Sequence, residues 1–166
     1  ISNAAALPQA MKEKIVALWG EGILNETYGC TEVGLSTNLR PKDQLRKQQC
    51  VGKPFAFTLV RLLDDDGNEV PRGEVGELFT TSPYLFNGYW QDGERVVPPM
   101  RDGWFSAGDL ARQDDEGYIY IVDRKKDMIV SGGINIYPRQ IEEVLYRHPA
   151  VGEAAVPALF ASAAGN

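Results

Sequence analysis

Trp104-Phe105-Ser106-Ala107-Gly108-Asp109-Leu110, followed by D-E-G-Y-I-Y-I-V-D-R-K-K-D-M-I-V-S-G-G-I-N-I-Y-P from Asp115 to Pro138, is the stretch on which the reading of this chain turns. Asp109 sits beside a glycine, in a turn. Tyr118 to Val122 alternates aromatic and aliphatic residues, the period of a strand. Asp123 and Arg124 stand at that strand's end, where a ligand is often met. A lysine pair, Lys125 and Lys126, and a double glycine, Gly132 and Gly133, come next. The order predicts a strand that delivers charge to a ligand, then a flexible joint.

The composition limits the partners. The chain has 166 residues, 43% hydrophobic and 24% charged, with a formal net charge of −6. That is a globular balance, long enough for one domain or parts of two. The acidic balance argues against nucleic acid, which wants a basic face. A nucleotide needs only local donors and a metal. No apolar run approaches the roughly 18 residues of a membrane span. No secretory signal reads from the first residues, and Ile1-Ser2-Asn3 looks like the interior of a longer chain. Two cysteines, Cys30 and Cys50, make neither a disulfide framework nor a metal cluster, so a reducing, cytoplasmic setting is the default. A single histidine, His148, excludes most triads and multi-histidine metal sites; at a helix end it reads as a surface cation.

The second informative stretch is Ile23 to Glu32, I-L-N-E-T-Y-G-C-T-E. Tyr28 offers an aromatic face on which a purine can stack, worth about 1–3 kcal/mol per base in nucleic-acid binders. Gly29 permits a tight turn. The Thr31 hydroxyl can donate to a phosphate oxygen. Glu32 supplies the hard oxygen that Mg²⁺ prefers. Read alone, these residues also suit an ordinary turn. Cys30 reads as a packed thiol, since no neighbouring base activates it.

The remaining segments supply scaffold. Pro8 to Trp19 predicts an amphipathic helix with proline at its first position and Met11, Ile15 and Leu18 on the packed face, away from Lys12, Glu13 and Lys14. Phe57 to Leu63 predicts a strand, and D-D-D-G-N-E a hairpin turn at its Asp-Gly step rather than a calcium loop. Gly73 to Ser82 predicts another strand. Gln91 to Arg101 reads as a link with a helical start and a Pro-rich, non-helical end. Arg139 to Arg147 predicts a helix with Ile141, Val144 and Leu145 on its apolar face, Glu142 and Glu143 favouring its N-terminus and Arg147 its C-terminus. Pro149 closes it.

Taken together, these motifs resemble the adenylate-forming superfamily: acyl-CoA synthetases, adenylation domains of peptide synthetases, and firefly-type luciferases. The family pattern is roughly W-[FY]-x-T-G-D-L, then [GD]-R-x-[DK]-[DE]-x-I-x-x-x-G-x-x-[IV]-x-P. Trp104-Phe105, Gly108-Asp109-Leu110, Asp123-Arg124, Lys126-Asp127, Gly132 and Pro138 fall in register, and Ala107 stands where threonine is usual. Tyr28-Gly29-Cys30-Thr31-Glu32 matches Y-G-x-T-E, while Gly76-Glu77-Leu78 and Gly88-Tyr89-Trp90 match G-E-L…G-Y-W, expected to be a strand start and an aromatic core anchor. Before the first helix, Ser2, Leu7 and Pro8 match S-G-G-A-P-L-P, with Asn3, Ala4 and Ala6 as replacements; a plain loop is the alternative. After Val156 the resemblance stops.

The resemblance implies a mixed α/β (α+β) architecture. Residues 1–123 are expected to be the C-terminal part of a large AMP-binding domain with a β-barrel-like unit. Residues 124–127 would be a hinge, and 128–166 the beginning of a small C-terminal domain. The implied activity is that of an acid–thiol ligase: a carboxylic acid and ATP give an acyl-adenylate, whose acyl group passes to coenzyme A. Thr31 and Glu32 take the catalytic phosphate- and Mg²⁺-binding roles. Tyr28, Gly29, Thr31, Asp109 and Arg124 bind ATP or AMP, with Asp109 on the ribose diol. Lys126 is the hinge residue, and Gly132 and Gly133 lie in the loop of the thioester-forming state. An Asp109–Arg124 surface ion pair is the plainer alternative. The family's phosphate loop is expected upstream of Ile1 and its catalytic lysine beyond Asn166, so the piece alone is expected to be inactive and to associate or form a homodimer. S-G-G-I-N-I-Y-P-R-Q-I-E-E points to a fatty-acid–CoA ligase, with a fatty or aryl acid as substrate. A peptide-synthetase or luciferase-like ligase is the enzymatic rival, and a non-catalytic nucleotide-binding or structural fragment the rival of another class.

Overall fold

The computed structural model describes residues 1–2, 7–131, 133–146, 148 and 150–157. Its first element is α1 (Gln9–Trp19). Pro8 precedes the helix rather than opening it: its carbonyl accepts from the amides of Met11 and Lys12. Gly20, at φ +89°, ends it. The orientation of α1 differs in part from expectation: Ile15 is half-buried and Glu13 and Lys14 are exposed, as the apolar stripe predicts, but the rest of the stripe is not packed. Lys12 is 1% exposed and paired with Glu26, whereas Met11, Leu18 and Trp19 are 47, 75 and 65% exposed. A buried carboxylate such as Glu26 is tolerated only with a counter-charge, and lysine's long stem can pack while its ammonium reaches the partner.

Two antiparallel sheets follow. The first has the order β1 (Glu26–Cys30), β2 (Gly34–Leu39), β3 (Lys53–Pro54). The second is interrupted in sequence. After β4 (Leu59–Leu63) and β5 (Val75–Thr81) comes a separate hairpin, β6 (Tyr89–Gln91) and β7 (Glu94–Val96); then β8 (Phe105–Gln113) and β9 (Ile119–Arg124) complete the order β4-β5-β8-β9. In β5 the residues alternate between half-buried and buried, the period-two signature of one core-facing side. Leu62, Leu78, Ala111 and Ile119 form the core of this sheet, with Tyr28, Val51, Val60, Val70 and Ile121 against it.

The sheets meet edge to edge where Gly52 bridges Ile119, with the Ile119 amide donating to the Gly52 carbonyl at 2.8 Å. A Cβ on Gly52 would lie 2.0 Å from the Asn38 backbone, so the close approach of this residue to β2 requires glycine. The acidic turn after β4 is closed as expected: Gly67 donates to the Asp64 carbonyl, and Leu63 bridges Glu69.

The Gln91–Arg101 link has no helical start. Asp92 and Gly93 both have positive φ, +50° and +84°, which makes a tight hairpin turn between β6 and β7. Asp102 and Gly103 repeat the device, at +49° and +82°, and the amides and carbonyls of Arg101 and Trp104 bond to each other across it.

A last hairpin, β10 (Ile129–Ser131) and β11 (Ile134–Ile136), leads into α2 (Pro138–Leu145). The Arg139 amide donates to Asp123 at 3.1 Å, tying α2 to the end of β9. No acid lies in its first turn; Glu143 instead pairs with Arg139 one turn back, at 3.3 Å. Ile141, Val144 and Leu145 are exposed rather than packed. The expected contributions of Arg147 and Pro149, like those of Gly132, Asn3, Ala4 and Ala6, lie outside the described residues.

Candidate functional site

The site is built on β8 and β9, where Asp109 lies directly opposite Arg124. Residues 107–109 bulge from the sheet. On β5, Glu77 pairs with Leu110 and Phe79 with Ser106, so Leu78 faces three residues of β8. Bulges re-aim side chains, and this one turns on Gly108 at φ +79°. Asp109 is buried, and its carboxylate accepts from the Tyr28 hydroxyl at 2.5 Å. Arg124 Nε approaches the other carboxylate oxygen at 3.6 Å while its side chain stays 62% exposed. Three residues from two sheets, Tyr28 and Asp109 being 81 positions apart, are thereby joined. Burial first, then the Asp109 charge, pushes the Tyr28 hydroxyl far above its ordinary range, so it remains a donor.

A solvent-open hollow of about 440 Å³ lies beside this group, lined by Ala107, Gly108, Arg124, Lys125 and Lys126. Lys126 is exposed there. Lys125 is held by Asp65 and Glu77, at 2.7 and 2.9 Å. Gly133 has φ +80° in the β10–β11 turn, with open space around it.

Thr31 and Glu32 occupy the turn between β1 and β2, with Thr31 exposed. They share the Tyr28 hairpin but make no hydrogen bond or ion pair with Asp109 or Arg124 among the described residues. Glu32 instead accepts from the Tyr89 hydroxyl, and its carbonyl accepts from the Phe86 amide at 2.8 Å. Hydrogen bonds from Tyr89 and then Cys30 hold the Glu32 carboxyl below its usual range, hence anionic. Cys30 is pushed up to about 11, chiefly by burial, and its protonated thiol fits packing rather than attack.

Gly29 serves differently from expectation. It lies at a bulge in β1, and a Cβ there would come 1.9 Å from the Gly34 carbonyl oxygen. Close approach of the two strands demands this glycine; the left-handed turn residue is Gly34, at φ +69°. The sequence gives no sign of the role of Ser106 or of the partners of Tyr89 and Glu77. Gly76-Glu77-Leu78 and Gly88-Tyr89-Trp90 read in sequence as a strand start and an aromatic core anchor, yet Tyr89 and Trp90 are 44 and 78% exposed and Glu32, the partner of Tyr89, lies 57 positions away.

Residues 1–90 match the family model of the AMP-binding enzyme. The long-chain-fatty-acid–CoA ligase of Escherichia coli O6:H1 is 40% identical over 100% of this chain, which spans 30% of that relative. The medium/long-chain-fatty-acid–CoA ligase FadD8 of Mycobacterium tuberculosis is 43% identical over 81% of the chain, equal to 24% of its own length. Among solved structures, the O-succinylbenzoate coenzyme A synthetase of Bacillus subtilis in complex with ATP and magnesium ion superposes with a TM-score of 0.82 and 32% identity, covering 95% of this chain and 33% of that one. The chain thus spans about a third or less of the proteins it matches. On the family match and the shared fold, this chain belongs to the AMP-binding enzymes.

Proposed function

We propose that the chain is the nucleotide-gripping portion of an ATP-dependent acyl-CoA ligase acting on a medium- or long-chain fatty acid. The convergence of Tyr28, Asp109 and Arg124 beside one hollow carries this reading. A carboxylate can accept from adjacent ribose hydroxyls while keeping its existing partners, because it has about four lone-pair sites. Arg124, exposed and only loosely paired, is free to turn toward ribose or phosphate. Tyr28 braces Asp109 through its hydroxyl and borders the adenine. Thr31 donates to the α-phosphate.

Among the described residues no cluster of three His, Cys, Asp or Glu side chains can hold a metal alone. Mg²⁺ commonly takes one or two carboxylates together with substrate phosphates, and the anionic Glu32 fits that partial role. When bound, the ion would neutralise charge on the phosphates as the acyl carboxylate approaches. The acyl carboxylate attacks the α-phosphorus, pyrophosphate leaves, and the thiol of coenzyme A then displaces AMP from the acyl carbon. The protein's part is to align anions that repel one another.

In this reading residues 1–123 belong to the large domain, 124–127 form the hinge with Lys126 as pivot, and 128–166 begin the small domain, with Gly132 and Gly133 facing the site during thioester formation. A cytoplasmic setting accords with ATP and coenzyme A as substrates; no helix among the described residues is long and apolar enough to cross a membrane. The 166-residue piece by itself is expected to be inactive and to self-associate through the exposed side of α1, which light scattering would detect.

ATP–pyrophosphate exchange tests the function. The polypeptide at its natural length, supplied with a series of fatty and aryl acids, should exchange with a fatty acid and then form its coenzyme A thioester. Absence of exchange with every acid would overturn the proposal.

A further inference from the structure

We propose that Glu77 is a positioning residue that fixes the main chain of Gly108 and so sets where the Asp109 carboxylate meets a ribose; this rests on the ribose reading of Asp109 above. Glu77 stands on β5 at the edge of the 107–109 bulge, and both of its oxygens are used to hold that bulge. Oε1 accepts from the Ser106 hydroxyl at 2.6 Å, and the Ser106 oxygen accepts from the Gly108 amide at 3.0 Å. Oε2 pairs with the Lys125 ammonium at 2.9 Å, and the Lys125 amide donates to the Gly108 carbonyl at 2.7 Å. One carboxylate therefore reaches both polar groups of the Gly108 backbone, through a hydroxyl on one side and a lysine on the other.

This arrangement answers a specific mechanical need. Gly108 lies at φ +79° with nothing within 4 Å of where a Cβ would be, so packing does not hold its conformation. A bulge also gives up ladder hydrogen bonds, which leaves its backbone short of constraints. The Ser106 hydroxyl and the Lys125 amide supply them, and Glu77 holds both of those residues. Asp109 is the next residue, and a change in the Gly108 dihedrals would swing its carboxylate away from Tyr28 and Arg124. Glu77 touches neither of those residues in the hydrogen bonds and ion pairs described, so its influence passes through the main chain. Asp65 shares Lys125 at 2.7 Å but is far more exposed, 90% against 19% for Glu77, which makes Glu77 the better-shielded anchor.

The experiment measures AMP and 2′,3′-dideoxy-AMP binding by calorimetry on the polypeptide at its natural length. Glu77→Gln should weaken AMP about tenfold while leaving the dideoxy nucleotide within about twofold, because only the ribose hydroxyls read the Asp109 position. Ser106→Ala should act in the same direction with a smaller effect, and it decides the matter if Glu77→Gln fails to fold. Asp109→Asn is the control and should erase the preference for AMP over its dideoxy analogue. Should that control erase the preference while Glu77→Gln and Ser106→Ala keep it, the Glu77 inference falls and the ribose reading stands. A preference untouched in Asp109→Asn removes the ribose reading and the inference with it. Equal losses for both nucleotides in Glu77→Gln would mean general damage and overturn the positioning role.

Discussion

Tyrosines and charges gather at both ends of the β8–β9 hairpin, and the two ends are built to different specifications. At the closed end, Lys47 pairs with Asp114 and Glu116 at 2.6 and 2.7 Å, and Arg46 pairs with Asp43 and Glu116. The Tyr118 ring carries Lys47 and Lys53 over it at 4.6 and 4.5 Å, with Arg46 at 5.3 Å. At the other end Asp109 holds Tyr28 closely, but Arg124 stands off at 3.6 Å in solvent and Lys126 is exposed. Mutual satisfaction marks a structural clamp. Loose pairing beside a hollow leaves charge available for a ligand, since an exposed ion pair of this kind contributes only about 0–1 kcal/mol by itself.

The largest effect should come from the core between the ends. Ile119 is fully buried and also makes the Gly52 bridge, so Ile119→Ala should cost about 2–5 kcal/mol in denaturant unfolding. A loss well below that range would mean the ends do not share one core. Asp109→Ala sharpens the contrast next: AMP affinity should fall about tenfold or more, read by calorimetry. Lys47→Met is its mirror image. It should lower the melting temperature and leave AMP affinity unchanged; an equal loss of AMP binding would dissolve the distinction.

The smallest effect is acid sensitivity. Hydrogen bonds from Lys47 and Arg46 lower the Glu116 carboxyl, and bonds to Arg46 and Lys47 outweigh burial to lower Asp43 and Asp114. Their folded-state values thus lie below the unfolded ones, about 4 for carboxylates. Their stabilisation is complete above that pH and is lost as pH falls through the folded values. Thermal melts from pH 6 downward should show this loss, and Lys47→Met should flatten it.

Local pattern revealed much of this plan. Gly73–Ser82 and the alternation in Tyr118–Val122 marked strands of the main sheet, and the Gly-Asp and Asp-Arg pairs marked two residues that prove to be cross-strand neighbours. What escaped depends on distance. The Lys12–Glu26 pair turned the packed side of α1 onto Lys12, Ile15 and Val16, because a helical apolar stripe cannot reveal that a strand offers it a buried carboxylate. The β6–β7 hairpin was hidden by the prolines that follow it, although Asp92-Gly93 carried the turn chemistry. Tyr89, Ser106 and Glu77 acquire meaning only when strands far apart in order are laid side by side.

The turned seating of α1 has a thermodynamic corollary. With Lys12 spent inward, the helix shows Met11, Leu18 and Trp19 to water. Any surface that closes over them is drawn by released hydration rather than by ions. Such closure would carry a negative heat-capacity change, loosen in the cold and be strengthened by sulfate.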